Sequence, residues 1–260
     1  MKIPKLTLIG AGLGAADLIT LRGMRALACA DVILYDALID PILLDHAPAH
    51  AERVFVGKRR GRCEFSQPDI NHLIVQYAHS YGHVVRLKGG DPFIFGRGFE
   101  ELTFAQDCGV EVSVIPGVSS SYAVPALASI PLTCRGVSES FWVLTGTTKD
   151  HQLYDDIRVA VRSTATLLIL MGMKHLPEIT DLLFSVGKAE MPVAIIQNGS
   201  TANERVAFGT AETIVAEVER EGLSNPAVIV VGEVVRLAQG MGVRTMERKT
   251  NRGTVLAVHR

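Results

Sequence analysis

Cysteine is scarce in this chain. Cys29, Cys63, Cys108 and Cys134 are its only four, with no CxxC pair and no companion histidine cluster. Such spacing excludes a disulfide framework and supplies no metal site. A charge excess is missing too. The 26 Lys and Arg residues against 27 Asp and Glu leave a formal net charge of −1, without the basic surplus of a general nucleic-acid binder. No apolar run reaches transmembrane length without a charge or glycine. The first nine residues run straight into a strand-like segment, with no signal-peptide apolar region. The resulting expectation is a cytoplasmic protein with neither a membrane nor a nucleic acid as partner.

What is present is apolar and segmented. At 260 residues and 48% hydrophobic, the chain can bury one large core or two of ordinary size. Short runs rich in Val, Ile and Leu at 5–9, 31–35, 53–56, 83–87 and 111–115 read as strands. Helical spacing fills 18–30, 67–81 and 97–108 between them. After a pause at Pro116-Gly-Val-Ser-Ser-Ser121, strands are expected at 140–144, 166–171, 192–197 and 227–231, with helices at 175–186 and 210–221. Continuous apolar strands separated by helices argue for parallel sheets covered on both faces. The expectation is therefore an α/β fold of two α/β domains with mainly parallel sheets, at 1–116 and 117–243, followed by a polar, basic tail at 244–260.

Two glycine loops compete for attention. Gly10-Ala-Gly-Leu-Gly-Ala15 follows a strand, precedes a helical segment and satisfies the GxGxxA dinucleotide fingerprint, with Asp36 at the end of the next strand. Read alone it leaves open a Rossmann oxidoreductase using a nicotinamide cofactor, or an ordinary tight turn. No Tyr-x-x-x-Lys pair supports the first: Tyr77, Tyr81, Tyr122 and Tyr154 have no Lys at i+4. The second loop is Arg86-Leu-Lys-Gly-Gly-Asp-Pro-Phe-Ile-Phe-Gly-Arg-Gly98. Four glycines after a strand imply close backbone approach or sharp turning. Asp91 adds an acceptor and Arg97 a carboxylate-binding fork. A glycine-rich surface loop with solvated charges is the plainer reading. The basic run Lys58-Arg-Arg-Gly-Arg62 likewise reads first as a solvated loop.

Taken in order, these segments resemble the tetrapyrrole methylase family over roughly residues 6–237. Ile9-Gly-Ala-Gly-Leu-Gly14, Ala30-Asp-Val-Ile-Leu-Tyr-Asp36, Val54-Phe-Val-Gly-Lys-Arg59, Ile115-Pro-Gly-Val-Ser119, Ile130-Pro-Leu-Thr133, Leu170-Met-Gly172 and Met191-Pro-Val-Ala194 are similar to family segments in family order. The run around Gly89-Gly-Asp91 is the most specific of them and is nearest to members that methylate uroporphyrinogen III. The resemblance implies S-adenosylmethionine as cofactor, bound in a cleft between two α/β domains of a homodimer. It also implies methylation at C2 and C7 to give precorrin-2, for siroheme- or cobalamin-type synthesis. A later precorrin as substrate stays open.

The resemblance further implies roles for single residues. Leu13, Gly89, Gly90, Asp91, Ile94, Ser119, Ser120, Met171 and Gly199 fall at cofactor positions. Asp36 and Lys58 fall at the positions of the base and acid. Arg97 falls in the catalytic and substrate set, with Glu100, Arg59 and Arg135 as further substrate contacts and Arg60 and Arg62 behind them. The substrate carries eight carboxylates, which favours arginine forks. The chain departs from the family pattern at Leu13 (usually proline), Phe99 (glycine), Ser119-Ser120 (Thr-Ala) and Cys134 (histidine). It shows no dehydrogenase–chelatase extension, so a monofunctional enzyme is expected.

Overall fold

The computed structural model describes residues 2–57, 65–150 and 152–240. Its elements run β1 (Lys5–Gly10), α1 (Leu21–Leu27), β2 (Val32–Tyr35), β3 (Glu52–Phe55), α2 (Gln67–Tyr81), β4 (His83–Lys88), α3 (Gly98–Asp107), β5 (Glu111–Ile115), α4 (Ser120–Leu127), β6 (Phe141–Thr145), α5 (Asp156–Ala160), β7 (Thr166–Leu170), α6 (Leu176–Ser185), β8 (Pro192–Gln197), β9 (Arg205–Thr210), α7 (Ile214–Glu221), β10 (Ala227–Val231) and α8 (Val234–Gly240). They build two five-stranded sheets, β3-β2-β4-β1-β5 and β6-β7-β10-β8-β9. The tail at 244–260 lies outside the described residues.

Every pairing of the first sheet is parallel. Its central strands are buried on both faces. Ile9, Ile33, Val85 and Leu87 pack with Leu27 of α1 and with Leu43 and Leu44 of a 3-10 turn. On the other face Leu6, Leu8, Leu34 and Val84 meet Ile70, Ile74 and Ala78 of α2 and Ala105 of α3. In α2 the buried residues Ile70, Ile74 and Ala78 recur at every fourth position, so they form one stripe toward the sheet. The helix is started by a capping box: Ser66 Oγ accepts from Asp69 N, and Asp69 accepts from Ser66 N at 2.8 Å.

Parallel pairings dominate across the two sheets, as an α/β chain requires. The second sheet is nonetheless mixed. Only β6–β7 is parallel; β10 runs antiparallel to β7 and β8, and β8 antiparallel to β9. The connection 198–204 between β8 and β9 is too short for a parallel crossover, which needs about a dozen residues. Burial is again two-sided. Leu167, Ile169, Ile195 and Ile229 face α5, α6 and α7, while Leu168, Leu170, Ile196 and Val230 face α4 and α8.

The amino end of β4 carries a test of this core. His83 Nδ1 lies 2.9 Å from the Cys29 carbonyl, which can only accept, so the proton sits on Nδ1. Nε2 then accepts from Thr7 Oγ1 at 2.8 Å. Burial pushes the imidazole below its ordinary value, against the raising pull of the Cys29 carbonyl. The unfolded chain therefore takes up a proton near pH 6.5, while the folded chain resists until a lower pH. Stability should fall as pH drops below about 6.5 and level off below the folded value. Denaturant midpoints between pH 7 and 5 should decline less in His83→Gln; an identical decline would remove His83 as the source.

Candidate functional site

The carboxyl ends of the first sheet's strands form a crest packed through glycines. A Cβ on Gly10, ending β1, would stand 2.7 Å from the Gly90 carbonyl oxygen after β4. One on Gly117, after β5, would stand 2.6 Å from Gly10 Cα. No side chain fits between these three loops. Outward, a Cβ on Gly89 would meet Leu38 Cβ at 2.6 Å, and one on Gly57 would meet Ala37 N at 2.6 Å and Asp36 Cα at 3.0 Å. The loops after β3, β2, β4, β1 and β5 thus touch in strand order. Open α/β sheets place ligands at this end.

Gly90 is different from its neighbours. It has φ +69° and nothing within 4 Å of where a side chain would project. It is locked from behind, with Gly90 N donating to Gly12 O at 2.6 Å. Asp91 fastens two loops together: Oδ1 accepts from Phe93 N at 2.8 Å and Oδ2 from Gly117 N at 3.0 Å. The next turn folds back, with Gly98 N donating to Pro92 O at 3.0 Å. Phe93, Ile94, Phe95 and Phe99 stand exposed on it, and the Phe93 and Phe99 rings meet edge to face at 6.4 Å.

Arg97 caps α3 in the left-handed conformation and closes its fork on Glu100, through Nε–Oε1 at 2.9 Å and Nη2–Oε2 at 2.6 Å. The hydrogen bond from Arg97 holds the Glu100 carboxyl below its ordinary value, and Glu100 in turn raises Arg97. Both side chains are about half exposed, so the pair adds little to stability.

The second sheet brings its own loops to this crest. Ser119 accepts from Ser121 N and starts α4, where Ser120 is the first residue. A Cβ on Gly199 would meet Val124 of α4 at 2.6 Å. Leu13 packs into the core that holds Val124 and Leu170. Met171 is 47% exposed with φ +56°. A left-handed methionine costs about 1–2 kcal/mol, the kind of strain that collects at functional sites. Ser200 clasps the first glycine loop, accepting from Ala15 N at 3.2 Å and donating to Leu13 O at 3.1 Å.

Those contacts link the loops that carry Leu13, Gly89, Gly90, Asp91, Ser119, Ser120 and Gly199, with Asp36 joined through Leu38 and Gly57; Ile94, Arg97 and Glu100 follow along the chain after Asp91, and Met171 directly follows Leu170 of the shared core. Arg135 is exposed on the Cys134–Ser138 turn, and the contacts that gather the others do not include it. Lys58 and Arg59, with Arg60 and Arg62, lie outside the described residues; Lys58 directly follows Gly57 in the chain.

The dinucleotide reading of the first loop does not survive the geometry. α1 begins only at Leu21, after a 3-10 turn at Ala16–Leu18, so the glycines do not lead directly into an α-helix N-terminus as the fingerprint requires. Gly12 and Ala15 are already engaged by Gly90 and Ser200.

Sequence reasoning missed a buried charge cluster beneath the crest. Arg86 and Lys88 are 4% and 5% exposed, and Glu101 of α3 is fully buried. Glu101 Oε1 accepts from Lys88 Nζ at 2.8 Å, Gln67 Nε2 at 3.2 Å and Arg86 Nε at 3.4 Å. Its Oε2 has no hydrogen-bond partner among the described residues. Burial, then repulsion from Arg86, lowers the Lys88 ammonium from its ordinary value, with Glu101 opposing. The available signal was two cations at i and i+2 in an apolar strand, which places both on one buried face.

Known proteins resemble this chain in sequence and in fold. Residues 5–215 match the family model of the tetrapyrrole (corrin/porphyrin) methylases. The chain is 43% identical over 235 residues to a uroporphyrinogen-III C-methyltransferase of Methanocaldococcus jannaschii, covering 90% of this chain and 97% of that one. It is 41% identical to a siroheme synthase of Nitrosomonas europaea, covering 89% of this chain but 49% of that one, so it spans about half the length of that relative. Among solved structures, a uroporphyrin-III C-methyl transferase of Thermus thermophilus complexed with S-adenyl homocysteine superposes with a TM-score of 0.76 at 36% identity, covering 90% of this chain and 99% of that one. With the family model matched over most of its length, this chain belongs to the tetrapyrrole methylases.

Proposed function

We propose that this chain is an S-adenosylmethionine-dependent C-methyltransferase that methylates uroporphyrinogen III at C2 and C7 to give precorrin-2. The observation that carries this reading is the crest: five strand-end loops packed through glycines around an open, left-handed Gly90, in a chain that matches uroporphyrinogen-III C-methyltransferases nearly end to end. The donor set suits the cofactor. Gly90 offers main chain with no side chain over it, and Met171 and Ile94 offer apolar contact. When bound, the cofactor supplies an electrophilic methyl group on a sulfonium. The residues of the chain hold the macrocycle so that a pyrrole carbon stands about 3–3.5 Å from that methyl group. Asp91 contributes by fastening the Gly90 loop to the Gly117 loop. Asp36 and Lys58 handle the proton of the rearranging macrocycle. In this reading the two sheets belong to domains at 1–116 and 117–243, and the protein works as a cytoplasmic homodimer. Anaerobic incubation with uroporphyrinogen III and S-adenosylmethionine should give a dimethylated product by mass spectrometry. Methylation of a later precorrin alone would move the substrate and keep the chemistry; no methylated tetrapyrrole at all would end the proposal.

Arg97 orients the substrate in this reading, by sharing its fork between Glu100 and a substrate carboxylate. Arg97→Ala should lower kcat/KM about 10- to 100-fold, the loss of one or two charge-assisted hydrogen bonds. S-adenosylhomocysteine binding by calorimetry should hold within a few-fold. A matching collapse of cofactor binding would assign Arg97 to the scaffold.

A further inference from the structure

We infer that Arg86 is a positioning residue for Asp36: its buried guanidinium, held in place by Glu101 and two main-chain carbonyls, fixes the carboxylate that borders the cofactor loop. This rests on the reading of Asp36 as a group that handles the reaction's proton.

The geometry leaves Arg86 little freedom. Nη1 donates to Leu87 O at 3.1 Å and Leu34 O at 3.4 Å, which ties the fork to β4 and to the neighbouring β2. Nε is drawn to Glu101 Oε1 at 3.4 Å. The same Nη1 stands 3.8 Å from Asp36 Oδ2, at ion-pair range. The other carboxylate oxygen, Oδ1, accepts from Leu38 N at 3.1 Å, and Leu38 is the residue that abuts Gly89. Asp36 is therefore gripped at both oxygens, once from the crest and once from beneath. Its side chain is 23% exposed, whereas that of Arg86 is 5% exposed. A guanidinium so buried does not reach a substrate and acts only through a neighbour.

Charge balance points the same way. Two buried cations, Arg86 and Lys88, share one oxygen of one buried carboxylate, Glu101. One carboxylate compensates one cation. Asp36 is the second carboxylate within ion-pair range of the cluster, so its orientation is set by a charge that has no other counterpart among the described residues. A cation paired in this way holds a carboxylate in one rotamer without any contact to the reacting atoms.

A double-mutant cycle on kcat decides between positioning and mere support, with S-adenosylhomocysteine binding by calorimetry as the check on folding. Asp36→Asn should lower kcat about 100-fold, the usual scale for a proton-handling group. Arg86→Met should lower kcat about tenfold or more in the parent while KM and cofactor affinity stay within about threefold, and it should change kcat less than about twofold in the Asp36→Asn background. Arg86→Lys keeps the charge but not the fork and should recover part of the loss. If Arg86→Met does not fold, Arg86→Lys carries the same comparison, with a several-fold loss expected in the parent and none beside Asp36→Asn. Equal losses in both backgrounds would overturn the inference and make Arg86 structural. An unchanged kcat in Asp36→Asn would instead remove the role of Asp36 on which it rests.

Discussion

Gly117→Ala should abolish S-adenosylhomocysteine binding and lower the melting temperature by about 6–12 °C, from a cost of about 3 kcal/mol at about 2–4 °C per kcal/mol. Overpacking usually costs about 1–3 kcal/mol because flexible side chains can give way. Here the atoms in the way are Gly10 Cα and, closer still, the Gly90 carbonyl oxygen, both main chain. The loops after β1, β4 and β5 must separate to admit a methyl group. Separation also stretches the bond from Gly117 N to Asp91 Oδ2, so the Gly90 loop loses its tie on the ligand side. Gly90→Ala is the informative contrast. A methyl group there meets nothing in the fold, but the backbone sits at φ +69°, which costs a side chain about 1–2 kcal/mol. That variant should melt closer to the parent while its methyl group projects into the open side of the crest. Calorimetry on both would separate crowding of the scaffold from crowding of the site. Parent-like melting and cofactor affinity in Gly117→Ala would sink the account of the crest as a tightly packed unit.

The crest was only partly legible in the sequence. The Gly89-Gly90-Asp91 loop stood out because glycines cluster after an apolar strand. Gly10 read as the first glycine of a dinucleotide-like fingerprint and Gly117 as part of the pause between the two halves; their mutual packing depends on three loops meeting across the sheet, which no local pattern encodes. Asp91 was read as a cofactor ligand by resemblance; its two bonds to main-chain N–H groups reveal a structural duty that only the fold brings about. The strand runs of the first sheet were legible to within a residue or so, because a buried parallel strand is a continuous apolar run. The helix expected at 18–30 shrinks to a 3-10 turn and the short α1, with Gly23 inside it and Thr20 capping it. α4 went unread because it opens on Ser120-Ser121 and contains Pro125, both loop signals, and it survives by packing Val124 into the second core. β9 was missed for the opposite reason: it is a half-exposed edge strand with Gly209 inside it.

Glu101→Gln should destabilise the protein by about 3–5 kcal/mol at pH 7, the cost of leaving buried charge without its partner. The substitution is nearly a pure test of charge. The amide oxygen of glutamine can still accept from Lys88, Gln67 and Arg86, as Glu101 Oε1 does. What disappears is the negative charge between two buried cations. Lys88 then loses the larger of the two carboxylate influences that oppose burial and repulsion, and its ammonium moves further below the ordinary lysine value. The sign of the pH dependence follows. A lysine whose folded value lies below its unfolded value of about 10.4 binds fewer protons when folded, so stability rises with pH across that interval. The deficit of Glu101→Gln should therefore shrink between pH 7 and pH 9.5 in denaturant unfolding. Adding Lys88→Met should restore part of the loss at pH 7, because it removes the cation that Glu101 had compensated. A variant within about 1 kcal/mol of the parent at both pH values would mean that water reaches Glu101 in solution and the cluster is not the dry, balanced set described here. Should the stability fall as expected and turnover fall with it, the Arg86–Asp36 pairing predicts that the turnover loss disappears in an Asp36→Asn background while the stability loss remains.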